Sequence, residues 1–188
     1  GGAEHRDELL AGLVGRVVEV GAGNGLNFAH YPDTVTEVVA VEPEPYLRKR
    51  ALQAAEKARV PIRVLDGTAE ALPGSDGEFD AAVASLMLCS VPDQAAALDE
   101  LHRVIRPGGE LRFYEHVRAT TSRLSRLQRA TDLIWPHLAG GCHTSRDTTH
   151  AITGAGFEIT QQRDFTFLPA GRVGIVVAPH VIGRARRP

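Results

Sequence analysis

The chain has 188 residues, 43% of them hydrophobic, and a formal net charge of −2 at pH 7. That length and apolar content suffice for one domain with a sizeable core, and so balanced a charge gives no general electrostatic reason to bind nucleic acid or an anionic membrane. The basic cluster Arg184, Arg186 and Arg187 reads as a solvated tail, and Cys89 and Cys142 form neither a disulfide framework nor a CxxC pair, which favours a reducing, cytoplasmic compartment.

Residues 1–15 are expected to hold an N-terminal helix. Valine-rich runs follow at 16–20, 36–41, 62–65, 79–88 and 111–117, each of strand length and separated by helix-like spacing. Such alternation predicts βαβ units around a parallel sheet. Residues 45–59 are rich in helix formers behind Pro45, and Asp93 after Pro92 reads as the cap of a helix that Arg106-Pro107-Gly108-Gly109 ends. Two more helices are expected at 122–137 and 145–155. The last two apolar runs, 157–167 and 174–182, are six residues apart, too close for a crossover helix, so they pair antiparallel. The expected fold is a doubly wound, Rossmann-like α/β domain with a seven-stranded, mostly parallel sheet and one antiparallel strand near the C-terminal edge. Its core would span 16–117 and its acceptor-side helices and terminal strands 118–188. The run 173–182 contains Pro179 and falls short of the ~20 residues of a spanning helix, so no integral membrane segment is expected. The sequence carries no signal of oligomeric state.

The turn after the first strand reads EVGAGNG, residues 19–25. In a doubly wound sheet this turn floors the ligand crevice, and Gly21, Gly23 and Gly25 keep Cβ atoms away from a bound molecule. A dinucleotide loop would need a third small residue where Leu26 stands. An acid at Glu19 also suits a cationic ligand better than a pyrophosphate. Glu42 follows Gly21 by 21 residues, about where a ribose-binding acid belongs. S-adenosylmethionine (SAM) carries an ammonium, a sulfonium and a ribose, and so answers both acids.

Taken together and in order, EVGAGNG, VAVEPEP, GTAEALP, FDAAVASLMLCSVPD and LHRVIRPGGELRFYEH resemble the class I SAM-dependent methyltransferases, in particular the type 11 group related to the ubiquinone and menaquinone C-methyltransferases. FYEHV, the helix holding Trp135, Gly141-Cys142, Arg146 and AGF at 155–157 are similar to its thiol methyltransferase branch. The resemblance implies that Glu19, Gly21, Ala22, Gly23 and Gly25 line the methionine moiety and that Glu42 takes the ribose hydroxyls. It further implies that Pro43 and Tyr46 flank the adenosine, that Thr68, Ala69 and Glu70 meet the adenine edge, and that Ser85 and Leu86 close over the ligand. Thr68 departs from the family, which commonly has an acid there.

Methyl transfer from a sulfonium needs positioning more than a protein nucleophile. On the acceptor side, Tyr114 and His116 share one face of the fifth strand while Glu115 takes the other and reads as structural. His116 is the candidate catalytic residue, against the reading of a polar strand-end histidine bonded to backbone. Trp135, with Leu133, Ile134 and Leu138, forms either an acceptor wall or helix core. Arg146 either orients an anionic acceptor or sits in a surface ion pair. His137, Cys142, His143 and His150 invite a metal reading, but neighbouring Cys142 and His143 do not easily share one ion and no second cysteine pair lies nearby, so no metal is expected. Cys89 reads as a small buried hydrophobe. The leading function is methyl transfer to a small molecule, a thiol, phenol, amine or activated carbon, with no nucleic acid partner. A nicotinamide-dependent oxidoreductase and a non-catalytic SAM-binding module stay in competition with it.

Overall fold

The computed structural model describes residues 2–168 and 172–188. The valine-rich runs form the sheet: β1 (Gly15–Val20), β2 (Val35–Val41), β3 (Ile62–Leu65), β4 (Phe79–Ser85), β5 (Ile105–His116), β6 (Glu158–Thr166) and β7 (Pro179–Arg186), in the order β3-β2-β1-β4-β5-β7-β6. Strands β1 to β5 pair in parallel, and β7 runs antiparallel to both β5 and β6. The antiparallel strand is therefore the penultimate one, as a seven-stranded sheet with a reversed strand near its C-terminal edge requires. Val18, Val20, Val39 and Val41 enter one buried cluster while Val17, Val38 and Ala40 enter another across the sheet. Burial on both faces explains why these runs are apolar throughout rather than alternating.

Helix α1 (Gly2–Leu10) precedes β1. The carbonyls of Leu9 in its last turn and of Ala11 just beyond it accept from Nη1 of buried Arg112 on β5, which satisfies groups the helix end cannot pair internally. Helix α2 (Pro45–Ala55) starts where Glu44 accepts from the N–H groups of Tyr46 and Leu47, and α3 (Gln94–Val104) where Asp93 accepts from Ala96 N–H. Between β1 and β2 there is only a three-residue 3-10 turn, Phe28–His30.

Several boundaries differ from expectation, four of them with a structural consequence. Strand β4 stops at Ser85 rather than at residue 88, because Leu86 has φ +57° and turns the chain out of the sheet. Strand β5 begins at Ile105, six residues early, through an irregular pairing with β4. The single helix expected at 122–137 is two, α4 (Ser122–Thr131) and α5 (Trp135–Leu138). Pro136 accounts for this, since proline is tolerated in a first turn and breaks a helix interior. The run 174–182 splits into a 3-10 turn, Arg172–Val176, and β7. Residues 169–171 of the expected six-residue link, and Gly1 of the expected N-terminal helix, lie outside the described residues. Helix α6 (Thr148–Gly154) leads into β6. No helix among the described residues is long and apolar enough to cross a membrane.

Candidate active site

The carboxyl ends of β1, β2 and β4 surround a cavity of about 710 Å³, within the usual range for small-molecule sites. Its floor is the loop after β1. The N–H groups of Gly21 and Ala22 both reach the carbonyl of Val41, which hangs the loop on β2. A Cβ on Gly21 would meet Met87 Cβ at 2.7 Å, and one on Gly25 would meet Ala54 and Phe28 at 2.8 Å. Both residues have positive φ. Gly23 shares that conformation, so the backbone demands all three glycines while packing demands Gly21 and Gly25, the latter behind the cavity wall. Gly23 is the one with open space where its side chain would be.

At one end of the cavity Glu19 is 2% exposed. Its carboxylate accepts from Tyr31 Oη–H at 2.7 Å and from Asn27 Nδ2 at 2.9 Å. Burial pushes its pKa up to about 7, against the pull of those two donors and of Arg6. Asn27 Oδ1 is buried and has no hydrogen-bond partner among the described residues. Toward the other end, Glu42 accepts from Gly23 N–H at 2.7 Å through Oε2 and from Glu44 N–H at 2.9 Å through Oε1. Each oxygen keeps a further lone pair. Pro43, Thr68, Ala69, Glu70, Ser85 and Leu86 complete the wall. Asp66 is turned away, with its carboxylate 3.0 Å from Arg48 Nη1.

The loop that follows β4 is held from two sides. Buried Glu115 accepts from the N–H groups of Met87 (3.0 Å), Leu88 (2.9 Å) and Cys89 (3.1 Å). Arg146 donates to the carbonyls of Leu88 (2.7 Å) and Val91 (2.8 Å). Met87, Ser90, Val91 and Pro92 of this loop line the cavity.

Residues 18–113 match the model of a family described as a methyltransferase domain. The chain is 35% identical over 186 residues to thiol S-methyltransferase TMT1B of Mus musculus, covering 94% of this chain and 73% of that one. Among solved structures it is similar to a putative methyltransferase from Bacillus halodurans (TM-score 0.79, 17% identity, all of both chains). It is also similar to N-methyltransferase NodS from Bradyrhizobium japonicum in complex with S-adenosyl-L-homocysteine (TM-score 0.74, 16% identity, 99% of this chain and 87% of that one). The chain belongs to the class I SAM-dependent methyltransferases.

In this methyltransferase the acceptor-side residues read from the sequence lie outside the cavity lining. Tyr114 is 3% exposed and packs among His5, Phe165 and His180. Arg146 directs Nη1 and Nη2 to the two loop carbonyls rather than to a carboxylate. Trp135 is half-buried, whereas Leu133, Ile134 and Leu138 are 77%, 65% and 77% exposed and form no helix core. Tyr46 is 64% exposed on α2 and does not reach the cavity, where Leu47 stands instead. His116 Nδ1 lies 3.5 Å from Cys89 Sγ and 3.4 Å from Cys142 Sγ.

Sequence reasoning missed Asn27 and Tyr31. Both lie in the stretch NFAHY right after the glycines, and a buried acid at Glu19 requires donors of that kind within reach. It also missed Arg6 and Gly140 on the cavity wall, which no local pattern signals.

Proposed function

We propose that this protein is a thiol S-methyltransferase that binds SAM in the cavity between Glu19 and Glu42. The observation that carries the donor assignment is the acceptor pair at one end, the Glu19 carboxylate and the unpartnered Asn27 Oδ1, facing Glu42 across an open glycine. A buried acceptor without a donor is costly, and the α-ammonium of SAM supplies donors and positive charge there. The free lone pairs of Glu42 suit a vicinal ribose diol. The sulfonium methyl would then lie toward Met87 and Ser90, on the loop held by Glu115 and Arg146. Methyl transfer breaks the methyl–sulfonium bond, returns its electron pair to the departing sulfur and needs the acceptor held in line, which positioning alone accelerates greatly. A thiol acceptor is supported by the activity for which the TMT1B relative is named and by the fraction of the chain it matches.

The same geometry disfavours a nicotinamide dinucleotide. The Gly23 N–H, which a phosphate-binding loop would aim at its ligand, already donates to Glu42, and Glu19, Glu42, Glu44 and Glu70 all line the crevice. A non-catalytic SAM-binding module would keep the donor site and show no turnover.

Calorimetric titration with S-adenosylhomocysteine tests the donor site: saturable binding is expected, weakened about 100-fold in Glu42→Ala, the equivalent of one or two charge-assisted hydrogen bonds. Unaltered affinity would remove the ribose contact. Transfer of a labelled methyl group to thiols, in a panel with phenols and amines, tests the acceptor class, and labelling of phenols or amines alone would reject it.

A further inference from the structure

Beside the donor cavity, the loop after β4, the end of β5 and the segment before α6 bring three soft ligand atoms to one point. Cys89 Sγ is 3.5 Å from His116 Nδ1, Cys142 Sγ is 3.4 Å from the same nitrogen, and the two sulfurs are 3.7 Å apart. The residues come from positions 89, 116 and 142, so no local spacing announces them. Cys89 and Cys142 are 1% and 6% exposed, and together with His116 they form a set able to hold a metal ion.

A hydrogen-bonded trio of neutral groups accounts poorly for this convergence. An imidazole nitrogen offers one in-plane lone pair, so one S–H can donate to it, and the second thiol is left with the other sulfur, a weak acceptor, or with Ser90 Oγ, 3.5 Å from Cys89 Sγ. A single cation satisfies all three lone pairs at once. With metal–sulfur bonds of about 2.3 Å and a metal–nitrogen bond of about 2.0–2.1 Å, a tetrahedral zinc ion separates its sulfurs by about 3.8 Å and each sulfur from nitrogen by about 3.5 Å. The three observed edges agree with those lengths. Two thiolates also neutralise a divalent charge, which removes the penalty of burying it.

The surroundings hold the three ligands in place. Glu115 fixes the backbone of Cys89, and His143 N–H donates to the Cys89 carbonyl at 2.8 Å, tying together the two cysteine-bearing segments. Gly141 lies so close to the Ser90 carbonyl that a Cβ there would meet its oxygen at 2.6 Å. The Trp135 indole N–H is buried and makes no hydrogen bond of full geometry, yet it interacts with the Cys142 thiol closely enough to join Cys89 in pulling its pKa down. A metal-bound thiolate at Cys142 would give that donor a stronger acceptor.

We propose that Cys89, His116 and Cys142 bind a divalent zinc-class cation whose fourth position is open and takes the acceptor thiol, an inference that rests on the thiol-acceptor reading above. Three protein ligands with one open position are the pattern of a catalytic rather than a structural zinc site. Met87 and Ser90, which flank Cys89 by two residues and one, and Gly140, two residues before Cys142, all line the donor cavity. Two of the three ligands therefore stand on the segments that also wall the donor cavity. Binding of R–SH releases its proton to solvent and forms a metal–sulfur bond. That sulfur then forms a bond to the methyl carbon as the carbon–sulfonium bond breaks, its electron pair passing to the neutral S-adenosylhomocysteine. The product thioether is a poorer ligand and leaves.

The test uses the whole chain, kept reduced with a phosphine, stripped with a chelator and titrated with Co²⁺. One equivalent is expected to produce thiolate-to-cobalt charge-transfer absorption and tetrahedral d–d bands, displaced by Zn²⁺ and lost in Cys89→Ser, Cys142→Ser and His116→Ala. Undiminished S-adenosylhomocysteine affinity reports that each variant is folded. A small thiol should shift the d–d bands of the wild-type complex, and stripped protein should lose thiol methylation and regain it with Zn²⁺. Reduced wild-type protein that develops no cobalt bands overturns the site. Bands indifferent to thiol, or full thiol methylation by stripped protein, overturn the open position. Cobalt bands together with methylation of phenols or amines but never thiols would instead mark failure of the acceptor reading.

Discussion

In the donor site proposed here the charge of Glu19 would face the ammonium of SAM, and burial moves its titration into the physiological range. Its pKa is pushed up to about 7 because the carboxylate is cut off from water, and Tyr31, Asn27 and Arg6 offset this only in part. A bound ammonium favours the ionised form, so donor binding below pH 7 must release a proton. S-adenosylhomocysteine affinity is expected to rise about tenfold between pH 6 and pH 8, with Glu19→Gln both weaker and flat across that range. Isothermal titration at several pH values reads this directly, and a parallel slope in the variant would assign the proton elsewhere. Both acids were legible in the sequence, Glu19 by its place before the glycines and Glu42 by its distance from them. Their partners were not, because Gly23 N–H meets Glu42 only when β1 and β2 are adjacent.

The loop that ends β4 shows how one segment is shaped by residues from two others. Leu86 carries the one positive φ found at a non-glycine residue among those described, a conformation that costs about 1–2 kcal/mol. Glu115 and Arg146 hold it there through backbone N–H and carbonyl groups respectively. Glu115→Ala strands three buried N–H groups and is expected to lower stability by about 3 kcal/mol or more, measured by urea unfolding. Arg146→Ala frees the carbonyls of Leu88 and Val91 in a loop that lines the donor cavity, and should raise KM for the acceptor and weaken S-adenosylhomocysteine binding together. A loss confined to donor affinity would place Arg146 at the donor site alone. The strand-like run at 79–88 could not reveal this break, since Leu86, Met87 and Leu88 are as apolar as the strand itself; what ends β4 is hydrogen bonding from β5 and from the segment before α6.

For the molecule as a whole, buried Glu19 also contributes to how stability depends on pH, alongside Glu115, whose burial likewise pushes its carboxyl well above the ordinary value. Because the folded pKa of Glu19 lies above its ordinary value of 4.5, its contribution is fully present below about pH 4.5 and is lost as pH rises through 7, a decline of at most about 3 kcal/mol. Asp80 and Glu78 act in the opposite sense. The backbone N–H of Arg16 holds Asp80 below 3.8 and that of Ser75 holds Glu78 below 4.5, so their contributions are lost as pH falls into the acid range. Thermal unfolding of the free protein should therefore be most resistant near pH 5, with a shallower fall toward pH 8 in Glu19→Gln. Saturating S-adenosylhomocysteine should flatten the wild-type fall as well, by supplying the charge that burial withheld. An identical pH profile in the variant would remove Glu19 from this account. From residue order alone came the seven strands, the reversed strand near the C-terminal edge, the glycine turn and the two acids, because hydrophobic period, turn residues and spacing along a βαβ unit are local properties of a chain. Folding alone decided that Arg146 braces a loop, that Tyr46 points to solvent and that Cys89, His116 and Cys142 meet, because each depends on which strand ends lie side by side, and that adjacency is a property of the closed sheet.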